Sequence, residues 1–445
     1  MKKSILNIIR CTGFLFLLIG VSNLQASTEE CSQEDIQHYI FIHGIGSSGT
    51  MAFGVMREAI ETHIDCTKAY HFEYETKNSS LTTHDFAKDL NLLLETLPKT
   101  NKKNINLIMH SQGGLVGLKW MINSIRSYHG FSRKIVERVN RYITFATPFW
   151  GSDLAMMGNV ILFSGLSKNS ISPFGKLQLE QIEYGSPVFF DTAHVLSQNW
   201  KGAVSEFLRN EVKMLNITGM GPYSSTIMSK LGGSQKFEGD YFVNTPSSQI
   251  NFNFGRVDNY VYESSIQETA KMKPHDIAKQ SYVLGTHANI YSFLGGSYGL
   301  AELPKKCLEL RACDHPGYET LLTFIQTGEV ITDTEIAKVI QGFELHVELD
   351  FYGAISDPQA IELMIKKSNT IDITRHWGER YTPSPIRLED GKAIFLIKGS
   401  LLSNDSNFDE LEFVIESDEI KPRSIKVRVE RGKVSLIKTV VVSKQ

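Results

Sequence analysis

A chain of 445 residues is too long for a single hydrophobic core and predicts two domains. Its 42% hydrophobic and 21% charged residues make the composition of an ordinary soluble globular protein. The formal net charge of −3, with no basic stripe along the chain, argues against nucleic acid as a partner.

At the N-terminus Lys2 and Lys3 precede an apolar run from Gly13 to Val21, followed by Asn-Leu-Gln-Ala26. This is the pattern of a secretory signal peptide, residues 1–26, cleaved after Ala26. The run is too short to span a membrane. Cleavage would remove Lys2, Lys3 and Arg10 and no acid, taking the charge from −3 to −6. The expected location is periplasmic or extracellular. The mature chain keeps Cys31, Cys66, Cys307 and Cys313. An even number in an exported chain implies two disulfides, with Cys31–Cys66 and Cys307–Cys313 favoured among three connectivities. Neither pair has zinc-like spacing with histidines.

His38–Ile42 predicts an apolar strand running into His43-Gly44-Ile45-Gly46. Gly44-Ile-Gly46-Ser-Ser-Gly49 spells a dinucleotide fingerprint, but no acidic residue ends a second strand about 20 positions on, as that fingerprint requires. Residues 51–63 predict a helix, 69–74 a strand and 85–97 a helix stopped by Pro98. Ile105, Leu107, Ile108 and Met109 then form a short run suited to a buried parallel strand. His110-Ser111-Gln112-Gly113-Gly114 breaks it, and Leu115, Leu118, Met121, Ile122 and Ile125 return at helical spacing. Strand, sharp turn and helix is the geometry that lifts a serine hydroxyl from the top of a sheet. The alternation of strand and helix predicts a mostly parallel sheet covered on both faces.

His-Ser-Gln-Gly-Gly resembles the nucleophile elbow of α/β-hydrolase lipases and esterases, and Ser111 is its serine. Met109 departs from the general G-x-S-x-G pattern, whose first position is a glycine. His43-Gly44 is similar to the His-Gly-x of true bacterial lipases. The resemblance assigns the oxyanion hole to the backbone N–H groups of Ile45 and Gln112. Residues 141–145 predict the next strand, and Thr147-Pro-Phe-Trp-Gly-Ser-Asp153 after it resembles the Thr-Pro-x-x-Gly-Ser stretch of the same lipases. Phe149-Trp150 is expected to make that wall of the site apolar. The following insertion, about 152–200, stands where lipases carry a lid.

In an α/β-hydrolase the acid and the base follow the serine in that order. After a predicted strand at 212–218, Glu238-Gly-Asp240-Tyr-Phe-Val243 resembles the segment carrying the acid in related hydrolases; Asp153 is the alternative. His287, on the loop after a strand at 281–284, stands where the topology delivers the base; His315 is the alternative. His110 is expected to pack the elbow. Gly295-Gly-Ser297-Tyr-Gly299 matches G-x-S-x-G literally, but Pro304 leaves no room for the helix that an elbow requires.

From about residue 342 the pattern turns to strands at 343–351, 393–398, 411–416, 424–429 and 434–442, with a helix expected at 358–367. This predicts an α/β-hydrolase domain over 27–335 and a smaller all-β, sandwich-like domain over 342–445. The expected protein is a secreted serine hydrolase of carboxylic esters, lipids or small esters, in transient contact with a lipid surface. The same triad would serve an acyltransferase, phospholipase or thioesterase, and a binding protein without turnover is the remaining alternative. No cofactor is required for such chemistry. The resemblance allows a structural calcium, with no ligands locatable in the sequence.

Overall fold

The computed structural model describes residues 31–53, 56–152, 155, 175–220, 239–240, 242–257, 267–285, 287, 316–352, 357, 360–366, 368–373, 385–389, 391–403, 406–420 and 422–442. The proposed signal peptide, the Cys307–Cys313 pair, Asp153, Ser297, His315 and residues 153–154 and 156–174 of the lid segment lie outside them.

Six parallel strands form the first sheet: β1 (Gln37–Ile42), β2 (Thr67–Phe72), β3 (Ile105–His110), β4 (Val139–Phe145), β5 (Lys213–Met220) and, later in the chain, β9 (Lys279–Leu284). Their spatial order is β2-β1-β3-β4-β5-β9. Alternate side chains separate the two faces. Ile40, Ile42, Leu107 and Met109 join the helices Thr83–Glu95 and Gln112–Ile125 in one buried layer. Tyr39, Phe41, Ile108, Ile143 and Phe145 join the helices Gly49–Phe53, Met56–His63 and Pro316–Thr327 in the other. Helix Thr83–Glu95 starts at a capping box in which Thr82 and Asp85 satisfy each other's N–H groups. The chain is therefore an α/β protein with a mostly parallel central sheet and further β-sheets in its C-terminal region.

Those further sheets draw on strands from both halves of the chain. They contain β6 (Phe252–Val257), β7 (Gln267–Thr269), β8 (Lys273–His275), β10 (Gly342–Tyr352), β11 (Glu362–Ile365), β12 (Ile371–Ile373), β13 (Arg387–Glu389), β14 (Lys392–Leu401), β15 (Phe408–Glu416), β16 (Arg423–Glu430) and β17 (Val434–Val442). One sheet runs β12-β14-β10-β17-β6-β8 with β13 alongside β14; the other runs β11-β15-β16-β7. Leu345, Val347, Phe395 and Ile397 of the first share a core with Leu411, Phe413, Ile425 and Val427 of the second. Strands β6 to β8 precede residue 335 in the chain yet belong to these sheets: β6 pairs in parallel with β17, and β7 with β16.

The helix expected at 358–367 is replaced by β11, which pairs antiparallel with β15. Glu, Leu, Met and Ile all tolerate a helix, so the strand state of Glu362–Ile365 is imposed by burial of Leu363 in the shared core.

Cys31 and Cys66 form a disulfide with Cα atoms 5.5 Å apart, tying the N-terminal segment to the start of β2. Closing a loop across 35 residues stabilises by about 4 kcal/mol in the chain-entropy model. Two buried histidines set an acid limit. Burial, with Arg138 and Lys68 adding to it, lowers His38 to about 4. Burial, with Arg209 and Lys273 adding to it, lowers His275 to about 4. Both are therefore neutral when folded and take up a proton on unfolding between about pH 4 and the ordinary histidine range near 6.5. Their contribution to stability is complete above that range and is lost as pH falls through it. Urea midpoints measured from pH 7.5 down to 4.5 should fall, with an uptake of about one proton per histidine, and His38→Gln should flatten the slope.

Candidate active site

Ser111 is the corner between β3 and the helix Gln112–Ile125, with φ 54° and ψ −127°. It occupies the N-cap position but makes no capping hydrogen bond, which leaves its hydroxyl to other partners. Its N–H donates to Phe145 O on β4 at 2.9 Å, fixing the corner to the sheet. Gly113 has no room for a side chain: a Cβ there would lie 2.3 Å from Ile42 O and 2.6 Å from His43 O.

Met109, the departure from the elbow pattern, is fully buried, and the helix accommodates it two turns on. A Cβ on Gly117 would lie 2.2 Å from Met109 Sδ. The small residue that the motif usually has on the strand is supplied here by the helix, so strand and helix keep their close approach.

His287 and Asp240 meet this corner from two other loops. His287 Nε2 lies 3.0 Å from Ser111 Oγ, and His287 Nδ1 lies 2.8 Å from Asp240 Oδ2. A carboxylate only accepts, so Nδ1 carries the proton and Nε2 is left as the acceptor for the serine hydroxyl. The N–H of His287 also donates to Asp240 O at 2.9 Å. Asp240 is buried, and its second oxygen accepts the N–H groups of Phe242 at 3.0 Å and Val243 at 2.8 Å. One oxygen is thus held by its own turn while the other faces the imidazole.

His110 donates from Nε2 to His287 O at 3.0 Å. Burial, followed by the neighbouring His287, pushes the His110 imidazole well below the ordinary range and keeps it neutral. It packs against His287 and holds that residue's loop. Phe242 stacks on His287 at 4.9 Å between ring centroids.

Ile45 follows Gly44, whose Cβ position is 2.7 Å from Ser111 Cβ and 3.2 Å from Ser111 Oγ, so this loop lies against the serine. Gln112 opens the helix, among the first N–H groups that have no carbonyl one turn back. In the G-x-G-x-x-G stretch, Gly46 N–H donates to Thr76 Oγ1 at 3.0 Å and Gly49 N–H to Glu73 Oε1 at 2.8 Å. A carboxylate stands where that fingerprint would hold a phosphate.

Phe149 and Trp150, expected to make one wall of the site apolar, have almost no exposed surface. Both are buried in the core, with Trp150 packed on Phe252 at 4.7 Å, because two adjacent apolar rings gain more from burial than from a wet wall. The Thr-Pro-x-x-Gly-Ser stretch holds the loop of Asp240. Ser152 Oγ donates to Phe242 O at 2.6 Å, Trp150 Nε1 to Gln249 O at 2.6 Å, and Trp150 N–H to Ser247 O at 3.3 Å. Nothing in the local sequence signals these contacts, since Ser152 and Phe242 are 90 residues apart. Among the described residues no group of three or more His, Cys, Asp or Glu side chains is arranged to hold a metal ion.

Residues 33–173 match the model of a family described as "Putative serine esterase (DUF676)". A search of curated proteins gave no match. Among solved structures the chain resembles phospholipase PlaB from Legionella pneumophila, with TM-score 0.63 and 15% identity over 92% of this chain and 94% of that one. The same phospholipase in complex with thio-NAD gives TM-score 0.62 and 14% identity, again over 92% and 94%. Bacillus licheniformis lipase BlEst2 in mature form gives TM-score 0.38 and 16% identity over 58% of this chain and 88% of that one.

The slot between Met109 and Gly117 can be tested directly. Gly117→Ala should destabilise by about 1–3 kcal/mol through overpacking, whereas in the Met109→Ala background the same change should be neutral or stabilising. Thermal unfolding of the four proteins measures the coupling. With its mostly parallel sheet and its serine at a strand–helix corner, the chain has the fold of phospholipase PlaB, and its residues 33–173 resemble the putative serine esterase family.

Proposed function

We propose that the protein is an exported serine hydrolase that cleaves carboxylic esters, lipids foremost, through an acyl-enzyme. The observation that carries this is the unbroken chain of hydrogen bonds from Ser111 through His287 to Asp240. As Ser111 Oγ attacks the acyl carbon, its proton passes to His287 Nε2, and Asp240 steadies the imidazolium that forms. The N–H groups of Ile45 and Gln112 hold the oxyanion of the tetrahedral intermediate; loss of one such donor typically costs about 10²–10³ in turnover. His287 then protonates the leaving alkoxide. It next takes a proton from water, whose oxygen attacks the acyl-serine; the bond from Ser111 Oγ to the acyl carbon then breaks, His287 returns the proton to Ser111 Oγ, and the acid is released.

Every proton in this sequence moves between groups of the chain, substrate and water. The disulfide Cys31–Cys66 supports an oxidising destination, in keeping with the N-terminal pattern of residues 1–26. A phospholipid is retained as a second substrate class because PlaB, similar over most of this chain, is a phospholipase. Head-group and chain-length assays separate it from a neutral ester.

Ser111→Ala should abolish both labelling by a fluorophosphonate probe and cleavage of a p-nitrophenyl ester, while Ser297→Ala should spare both. Asp240→Asn should lower turnover by about 10⁴, and Asp153→Asn should leave it unchanged. Full activity in Ser111→Ala, or no labelling of the native protein, would overturn the assignment.

A further inference from the structure

Strand β10 alternates with period two. Phe343, Leu345, Val347 and Leu349 enter the core between the two C-terminal sheets. The opposite face, Glu344, His346 and Glu348, is buried as well. Instead of meeting solvent, it meets the hydrolase part of the chain. Glu348 lies 3.0 Å from Lys438 and 3.5 Å from Lys392, and Lys438 sits over the Phe190 ring.

Glu344 reaches furthest. Its Oε1 accepts from Tyr184 Oη at 2.8 Å and from Asn244 Nδ2 at 3.0 Å; its Oε2 accepts from Ser247 Oγ at 2.6 Å. Lys398, directly across the sheet, is 4.0 Å from Oε1 and caps the Tyr184 ring at 4.1 Å. Burial alone would raise this carboxyl. His346, Lys398 and Ser247 outweigh it and hold Glu344 down to about 2, so it is ionised at any working pH.

Two of its three donors belong to the loop of Asp240. That loop closes on itself: Gly239 pairs with Asn244, and Asp240 N–H donates to Val243 O at 3.2 Å. Asn244 therefore stands at the base of the turn whose N–H groups hold Asp240 Oδ1, and Ser247 stands three residues on. An ionised acceptor desolvated against these donors fixes the base of the turn far more firmly than a water-exposed contact would.

We propose that Glu344, contributed by the C-terminal sheets, is a positioning residue for the proton relay: it anchors the Asn244–Ser247 segment and thereby sets where Asp240 meets His287. This rests on the assignment of Asp240 as the acid in the proposed function. It also gives the C-terminal region a part in turnover without contact with substrate.

A double-mutant cycle between Glu344→Gln and Asp240→Asn tests it, read as kcat and KM on a p-nitrophenyl ester, with thermal unfolding as the check on folding. Glu344→Gln should lower kcat by about 10-fold to 10²-fold with KM little changed, as expected for a displaced catalytic group. In the Asp240→Asn background the same change should have no further effect, because the group it positions is already gone. An equal loss in both backgrounds, or no loss in either, overturns the proposal. If Asp240→Asn alone leaves turnover intact, the acid assignment fails instead, and the two failures are distinguished. Should Glu344→Gln not fold, Ser247→Ala combined with Asn244→Ala cuts the same anchor from the loop side. That pair must show the same dependence on Asp240, and additivity there overturns the proposal equally.

Discussion

The backbone of Ser111 is the constraint on which the site depends. A non-glycine residue at φ 54° and ψ −127° costs on the order of 1–3 kcal/mol and persists only where its surroundings over-determine it. Here they do so from three sides. Phe145 O receives the serine N–H, the carbonyls of Ile42 and His43 crowd Gly113, and Gly44 presses against the serine itself. The strain turns a residue that would otherwise cap the helix into one whose hydroxyl points elsewhere, and His287 Nε2 is what it meets.

Much of this is legible in the sequence because it is local. The strand, the turn and the helix around Ser111 lie within one short stretch, and their periodicity announces the corner. Residue 287 can be placed because topology says which loop returns to the serine. What is not legible is long in sequence and short in space. Ser152, Asn244 and Ser247 look like ordinary loop residues until the fold sets them around Asp240. The Phe149–Trp150 pair is ambiguous for a different reason: apolar rings beside a site can serve as wall or as core, and only packing decides. At β11 local preference pointed to helix, and a partner strand some 50 positions away prevailed.

Strand β10 shows how a period-two pattern under-determines its setting. Alternation of apolar and charged residues normally means one dry face and one wet face. Here the charged face is dry too, neutralised by cross-strand partners such as Glu344 with Lys398. The same face provides polar contacts to the loops that surround the serine, so what reads as a solvated surface is a joint between two parts of the molecule.

The pairing of β6 with β17 has a temporal consequence. Residues 252–257 lie between the carboxylate at 240 and the imidazole at 287, and their parallel neighbour is the last described strand of the chain, 434–442. A nascent polypeptide emerges N-terminus first, so β6 can pair with β8 early but gains its parallel neighbour only once residues 434–442 have been made. A chain cut short before residue 434 therefore lacks the strand that joins β6 and β8 to β10 and the rest of that sheet.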